Sequence, residues 1–261
     1  MLTVATWNIN GVKARIDSLT KWLEESAPDV VCLQEIKSQD ETFPTEAVER
    51  LGYNVATHGQ KGFNGVALLS KRPLEDITCR LPGDEEDEHA RWIEATVSTD
   101  TGAVRVVSLY LPNGNPVDSP KFGYKLAWMD RMLAHAGELL ATDEPIVLAG
   151  DYNVIPEPMD ARHPDRWVDD ALFQPESRSR HRALVNLGYL DAQRAVDRSE
   201  GIYTFWDYQA GAWQKNNGIR IDHIMLSPFA ADRLESVTVE KHTRGWTKPS
   251  DHVPVMVTLD V

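Results

Sequence analysis

The sequence predicts a two-sheet α/β (α+β) domain with its helices on the outside, and three observations point there. About ten short apolar or alternating runs, each ended by Gly, Pro, Asn, Asp or Ser, read as strands, and only a few stretches keep helical spacing. No Gly/Ser-rich linker and no short-period repeat divides the chain, so residues 1–261 read as one domain. At 261 residues it can bury a large core without disulfide or metal staples.

Taken in order, LTVATWN is the first strand, and residues 14–25 form a helix whose apolar face is Ile16, Leu19, Trp22 and Leu23. VVCLQE, YNVATH and GVALLS follow as strands, each an apolar run with a polar stop. Cys32 and Cys79 both fall in strand-like runs and are expected to be buried free thiols in a reducing compartment. GDEEDE at 83–88 reads as an exposed connection turned away from any phosphate site, because its carboxylates would repel one. WIEATVS and VRVVSLYLP are strands, residues 121–141 are the longest helix, and PIVLAGD is a buried strand. Residues 156–180, rich in Pro and charge with few apolar positions, read as a long irregular loop. IRIDHIMLS, ESVTVE and VPVMVTLDV complete the strands.

The net charge of −13, from 27 basic and 40 acidic residues, excludes broad attraction to phosphate polymers. Any nucleic-acid site must be local. RSRHR at 178–182 and the spaced Lys241, Arg244 and Lys248 run against the trend, and each reads as solvated surface. No apolar run approaches the roughly 20 residues that span a bilayer, and the first residues lack a signal-peptide pattern. A soluble, cytoplasmic protein is expected, with no membrane partner.

The chemistry concentrates at strand ends. Asn8 and Asn10 follow LTVATW, Glu35 follows VVCLQ, Tyr110 and Asn113 close VRVVSLYLPN, and Asp151 and Asn153 follow PIVLAG. Asp222 interrupts IRIDHIML, and Asp251 and His252 precede VPVMV. Strand ends at one edge of a sandwich share a rim, so these residues can converge. Singly, each Asn or Asp reads as a turn residue. Glu35 and Asp222 are harder to dismiss, since an ionised carboxylate in an apolar run needs a cation or strong donors. Glu35 with the Asn8 amide suits an all-oxygen site for Mg²⁺, whereas Cys and His spacing for zinc is absent. Asp222 is expected to accept the Nδ1 proton of His252 and fix its tautomer. Asp151, on a sharp Gly turn, is the candidate base, with Asn153 pointing the same way if the backbone stays extended. Alternation turns His223 to the opposite face and away from the chemistry.

The segments TWNINGVKAR, CLQEIK, GVALLSK, LYLPNG, LAGDYNV, GIRIDHIMLS and KPSDHVPV, in this order along nearly the whole chain, resemble the exonuclease III family of abasic-site endonucleases, within the endonuclease/exonuclease/phosphatase fold. The resemblance implies a four-layered αββα sandwich, two mixed β-sheets face to face flanked by helices. It also implies a Mg²⁺-dependent phosphodiesterase, with Mn²⁺ as a substitute, that incises duplex DNA 5′ to abasic sites and removes 3′ blocking groups or nucleotides. The expected partner is double-stranded DNA, met by a monomer.

Carried onto this sequence, Glu35 is the metal ligand, with Asn8 close by and Asp251 near a possible second metal position. Asp151 orients or deprotonates water, Asn153 supports it, and His252, paired to Asp222, contacts the scissile phosphate together with Tyr110. The motif leaves the base open between Asp151, which is favoured, and His252. Phe205, Trp206, Ile219 and Ile221 match the walls of the pocket for an everted abasic sugar, although Phe205 and Trp206 read equally as core aromatics. Asn113, Arg220 and Lys125 are candidate DNA contacts, Lys125 equally a helix-packing residue. Asn10 stands where other members carry an aspartate, which removes one carboxylate from the metal's surroundings. A phosphatase of the same superfold, acting on inositol phosphates or phospholipid head groups, is the enzymatic alternative, and a DNA-binding protein with a relic site the non-enzymatic one.

Overall fold

The computed structural model describes all of residues 1–261. The chain lays down β1 (Leu2–Asn8), β2 (Val30–Gln34), β3 (Asn54–His58) and β4 (Val66–Ser70) in one sheet, with α1 (Ile16–Ser26) and α2 (Thr45–Glu49) between them. It crosses to a second sheet with β5 (Leu74–Cys79), β6 (Trp92–Ser98), β7 (Ala103–Tyr110), β8 (Ile146–Asp151), β9 (Leu190–Asp191) and β10 (Asp222–Leu226). The second sheet's helices are α3 (Pro120–Leu140), α4 (Pro175–Leu187), α5 (Ala192–Val196) and α6 (Pro228–Ala231). Strands β11 (Leu234–Val239) and β12 (Val255–Leu259) then return to the first sheet.

Each sheet has six strands and is mixed: β1 runs parallel to β2, and β7 parallel to β8, with all other pairs antiparallel. Because strand side chains alternate, each sheet buries two apolar faces. The inner faces meet in one core through residues such as Val4, Cys32, Leu68, Ile93, Val106, Val147 and Ile224. The outer face of the first sheet packs Trp7 and Leu33 against Leu19, Trp22 and Leu23 of α1. That of the second packs Trp92 and Leu148 against Trp128, Met129 and Met132 of α3. The result is the predicted αββα sandwich, and its two sheets share one rim.

Local signals place the helices. Helix α1 stops where Ala27 turns left-handed at φ 44°, its N–H returning to Leu23 O, with Pro28 next. Helix α3 starts at Pro120 behind Ser119, whose hydroxyl accepts the Lys121 N–H. The chain ends meet: β1 pairs with β12 from Leu2↔Leu259 to Thr6↔Val255, and the Met1 ammonium donates to Val261 O at 3.2 Å.

Four expectations change. Cys79 is exposed, because β5 is an edge strand turned mostly to solvent, whereas Cys32 is fully buried. Residues 156–174 are irregular apart from two short turns, but 175–187 form α4, so RSRHR is helical. It is not simply solvated: Arg178 and Arg180 pair with Glu157 and Asp130, and His181 is buried. Arg244 is also buried, donating to Trp206 O at 2.9 Å.

His181 rests against His223, centroids 5.1 Å apart, and burial holds both neutral: it pushes His181 down to about 4 and His223 to about 3. An unfolded histidine takes its proton near 6.5, so between about 6.5 and 4 the unfolded chain binds protons that the fold refuses. Stability then falls with falling pH by about 1.4 kcal/mol per unit for each such residue. In urea melts at about pH 7 and pH 5, the stability advantage of the parent over His181→Gln should therefore shrink on acidification. An advantage that stays constant across that range would contradict the buried neutral imidazole.

Candidate active site

The rim residues do converge. Asn8 ends β1 in the first sheet, and its Nδ2 donates to Glu35 Oε1 at 2.9 Å, one residue past β2, and to Asp151 Oδ2 at 3.0 Å, the last residue of β8 in the second sheet. One amide nitrogen thus bridges two carboxylates from opposite sheets. The Tyr110 hydroxyl, at the end of β7, donates to Glu35 Oε1 at 2.9 Å. Asp222 opens β10 directly across from Asp151 and accepts from His252 Nδ1 at 2.9 and 3.0 Å. His252 Nε2 then lies 3.8 Å from Asp151 Oδ2. The predicted Asp222–His252 pair is present.

His252 sits in the loop before β12, fixed by short backbone contacts. Its N–H donates to Ser250 Oγ, which itself donates to Asn8 O at 2.6 Å, and its carbonyl accepts from Trp7 Nε1 at 3.2 Å. Phe205 forms a β-bridge to it and sets its ring edge-to-face on the imidazole, centroids 4.9 Å apart.

Four of the twelve non-glycine residues with left-handed backbone lie here. Asn10, Glu35, Lys37 and Asn153 all have φ between 45° and 50°, a region non-glycine residues seldom occupy. Asn153 therefore departs from the extended backbone expected of it: its N–H donates to Asp151 Oδ1 at 2.9 Å, and its Nδ2 to Leu111 O at 2.9 Å. Asn113, exposed on the neighbouring loop, donates to Asn153 Oδ1 at 3.2 Å. Gly150 marks no sharp turn either. It lies inside β8, where a Cβ would sit 2.0 Å from Leu109 O, so glycine lets β7 and β8 approach.

The electrostatics separate the carboxylates. Burial drives the Asp151 carboxyl up, to about 7, against the pull of the His252 charge. Burial would lower His252, but the Asp222 and Asp151 carboxylates outweigh it and raise the imidazole to about 10, so it carries a proton. Burial would also raise Glu35, yet the Asn8 amide and the Lys37 ammonium hold it below the usual carboxylate range.

Lys37 is a member that residue-level reading missed. Its Nζ lies 2.8 Å from Glu35 Oε2 and 2.6 Å from Asn10 Oδ1. The signal lay within CLQEIK, but only the left-handed turns at Glu35 and Lys37 fold the lysine back over the glutamate. Asn10 in turn donates to Asp251 Oδ1 at 3.0 Å, which places Asp251 on the same side.

This oxygen set fits a hard divalent ion. Glu35 Oε2 already attracts a cation, Asp251 and the Asn8 side-chain oxygen Oδ1 lie near, and no thiolate is at hand. Asp151, Asp222 and His252 also have potential ligand atoms within 4.8 Å of one another. There the Nδ1 of the protonated imidazole is spent on Asp222, which suits proton and phosphate chemistry better than ligation.

Three substrate-contact expectations are corrected. Arg220 is 1 % exposed and cannot reach a DNA phosphate: its Nε bonds Asp160 at 2.6 Å and its Nη1 bonds Asp191 at 2.8 Å. Lys125 is fully buried, its Nζ 3.1 Å from Asn113 O and 2.5 Å from Asn153 O. Trp206 lies in a small core with Tyr203, Ala212 and Val253. Phe205 is only half-buried beside His252, whereas Ile219 and Ile221, 1 % and 2 % exposed, lie beneath it in a small core with Ile155 and Leu172 and do not themselves face the site. His223 faces away, bonded to Val154 O and Arg220.

Comparison with known proteins agrees with this geometry. The model of the endonuclease/exonuclease/phosphatase family matches residues 5–252. An exodeoxyribonuclease III from Haemophilus influenzae is 36 % identical over 96 % of this chain and 97 % of its own, and a Bacillus subtilis exodeoxyribonuclease is 28 % identical over the full length of both. Among solved structures, an AP endonuclease from Archaeoglobus fulgidus superposes with a TM-score of 0.95 at 35 % identity, and a 3′ phosphatase from Neisseria bound to a product DNA hairpin with 0.96 at 34 %, each over all of both chains. The rim shared by the two sheets and the family match from residue 5 to 252 lead to one assignment: the chain belongs to the endonuclease/exonuclease/phosphatase family, in its exonuclease III branch.

Proposed function

We propose that the protein hydrolyses phosphodiesters of duplex DNA, incising 5′ to abasic sites and removing nucleotides or blocking groups from 3′ ends. The observation that carries this reading is the Asn8 amide that holds Glu35 and Asp151 together beside the Asp222–His252 pair. Phosphodiester hydrolysis needs a nucleophile in line with the leaving oxygen and charge neutralisation on the non-bridging oxygens. Asp151, with its proton affinity brought near neutrality, is matched to taking a proton from water. The His252 imidazolium, locked by Asp222, presents Nε2–H toward the phosphate, and Tyr110 and Asn8 add neutral donors. Asn153 and Asn113 brace the loop behind Asp151.

Glu35, with Asn8 and Asp251, would hold Mg²⁺, for which Mn²⁺ could substitute. Bound there, the ion supplies Lewis-acid neutralisation of phosphate charge. The half-exposed Phe205, backed by the buried Ile219 and Ile221, offers an apolar surface to a sugar that lacks its base, which costs little to extrude. No helix is long and apolar enough to cross a membrane, in keeping with action on DNA in the cytoplasm. We read the protein as acting as a monomer.

On a duplex carrying one abasic analogue, Mg²⁺-dependent cleavage 5′ to the lesion is expected, with none in EDTA. Asp151→Asn and His252→Asn should each lower kcat by about 10²–10⁴-fold, as loss of a general acid–base group does. Intact duplex with the parent enzyme, alongside phosphate release from an inositol phosphate, would refute the reading.

The two titrations also set a pH profile. Asp151 must be unprotonated, so the rate should climb through about pH 7, and His252 must be protonated, so it should fall toward about pH 10. Asp222→Asn removes the carboxylate that raises His252, so it should shift the alkaline limb to lower pH. An alkaline limb that Asp222→Asn leaves in place would show that His252 is not the group responsible.

A further inference from the structure

Lys125 is a buried lysine that takes no part in the chemistry proposed for the rim. It extends from α3 with no exposed surface, and its ammonium ends between two backbone carbonyls, Asn113 O at 3.1 Å and Asn153 O at 2.5 Å. These belong to the loops that follow β7 and β8, which carry Tyr110 and Asp151 on their strand ends. The two loops are otherwise tied by the Asn113–Asn153 side-chain bond at 3.2 Å and by Asn153 Nδ2 to Leu111 O.

Its stem runs through a slot that only glycine leaves open. Gly114 has φ 89°, and a Cβ there would lie 2.6 Å from Lys125 Cδ and 3.2 Å from its Cβ. Packing alone would favour an unbranched apolar side chain at this place, since burying an ammonium without a carboxylate at salt-bridge distance is costly. Burial accordingly pulls the lysine down to about 7, opposed by the through-space attraction of Asp151 and Asp170.

We propose that Lys125 is a positioning residue, an internal N–H donor that clamps the carbonyls of Asn113 and Asn153 and so fixes the loop on which the Asp151 carboxylate is aimed. The clamp explains how Asn153 keeps its left-handed backbone, because its carbonyl is held from below while its N–H is held by Asp151. It acts through other groups and touches no substrate. The proposal rests on the nuclease reading for its kinetic part, but not for its structural part.

The test compares Lys125→Met, Lys125→Ala and Lys125→Arg with the parent. Lys125→Met should fold, with a thermal midpoint at or above the parent's, because it removes a polar head that burial penalises. Its kcat on the abasic duplex should fall about 100-fold, the size of effect that a small misplacement produces, with KM within about threefold of the parent's. Deuterium uptake should rise in residues 111–115 and 152–156 and nowhere else. Propylammonium, which restores the missing stem and N–H donor, should rescue Lys125→Ala saturably, and sodium at equal ionic strength should not. Parent-like kcat and parent-like exchange in folded Lys125→Met would overturn the proposal, as would folded Lys125→Ala that ignores propylammonium. Failure of all three variants to fold would also overturn it, by making Lys125 an ordinary core residue. If the parent left abasic DNA intact, the nuclease reading would fail while the exchange measurement still decided the clamp.

Discussion

Everything at the rim depends on the registration of one sheet over the other. Asn8 and Glu35 come from the ends of β1 and β2, and Tyr110, Asp151 and Asp222 from the ends of β7, β8 and β10. The Asn8 amide and the Tyr110 hydroxyl both span the divide, reaching Asp151 and Glu35 respectively. The spacing of those carboxylates is therefore set by the thickness of the apolar layer between the sheets, built from residues such as Val4, Cys32, Val106, Val147 and Ile224. Close-packed interiors yield little to strain, so a packing error in that layer reaches the chemistry directly.

A second constraint is that most charges near the site are buried or half-buried and each meets an opposite charge, Lys125 with its two carbonyls excepted. Asp222 answers His252, Lys37 answers Glu35, and Arg220 answers both Asp160 and Asp191. The Arg220 pairs anchor the segment between the Phe205 bridge and β10, which sets where Asp222 begins. Unpaired, any of these ions would cost several kcal/mol, so the network ties the irregular loop at 156–174 to the strands beneath it. This is how a molecule of net charge −13 can present a site for phosphate: its cations are placed individually, and none depends on an overall field.

Much of this was legible in the sequence, for reasons that differ by element. The central strands and helices α1 and α3 show because their apolar periodicity is strong. Helix α4 does not, since its buried stripe is only Ser177, His181 and Leu184 among charged residues, and β9 has just two residues. Edge strand β5 keeps too little buried surface to signal that Cys79 faces solvent. In the site, each strand-terminal Asn or Asp reads singly as a turn residue, and the set stands out because all of them end at strand tips while Glu35 and Asp222 are acids in apolar runs. Arg220 and Lys125 mislead because what neutralises or binds them, two distant carboxylates or two carbonyls, is written nowhere near them in the chain. Lys37 escapes because left-handed φ at ordinary residue types leaves no mark in composition.

The placement of β12 has a consequence for folding. Residues 251–259 deliver both the imidazole and β12, which lies between β1 and β11. Until β12 is in place, β1 and β11 have no partner between them and Asp222 has no cation. Closing the first sheet and arming the rim are therefore one event, and a partly folded molecule with that strand astray is an unarmed one.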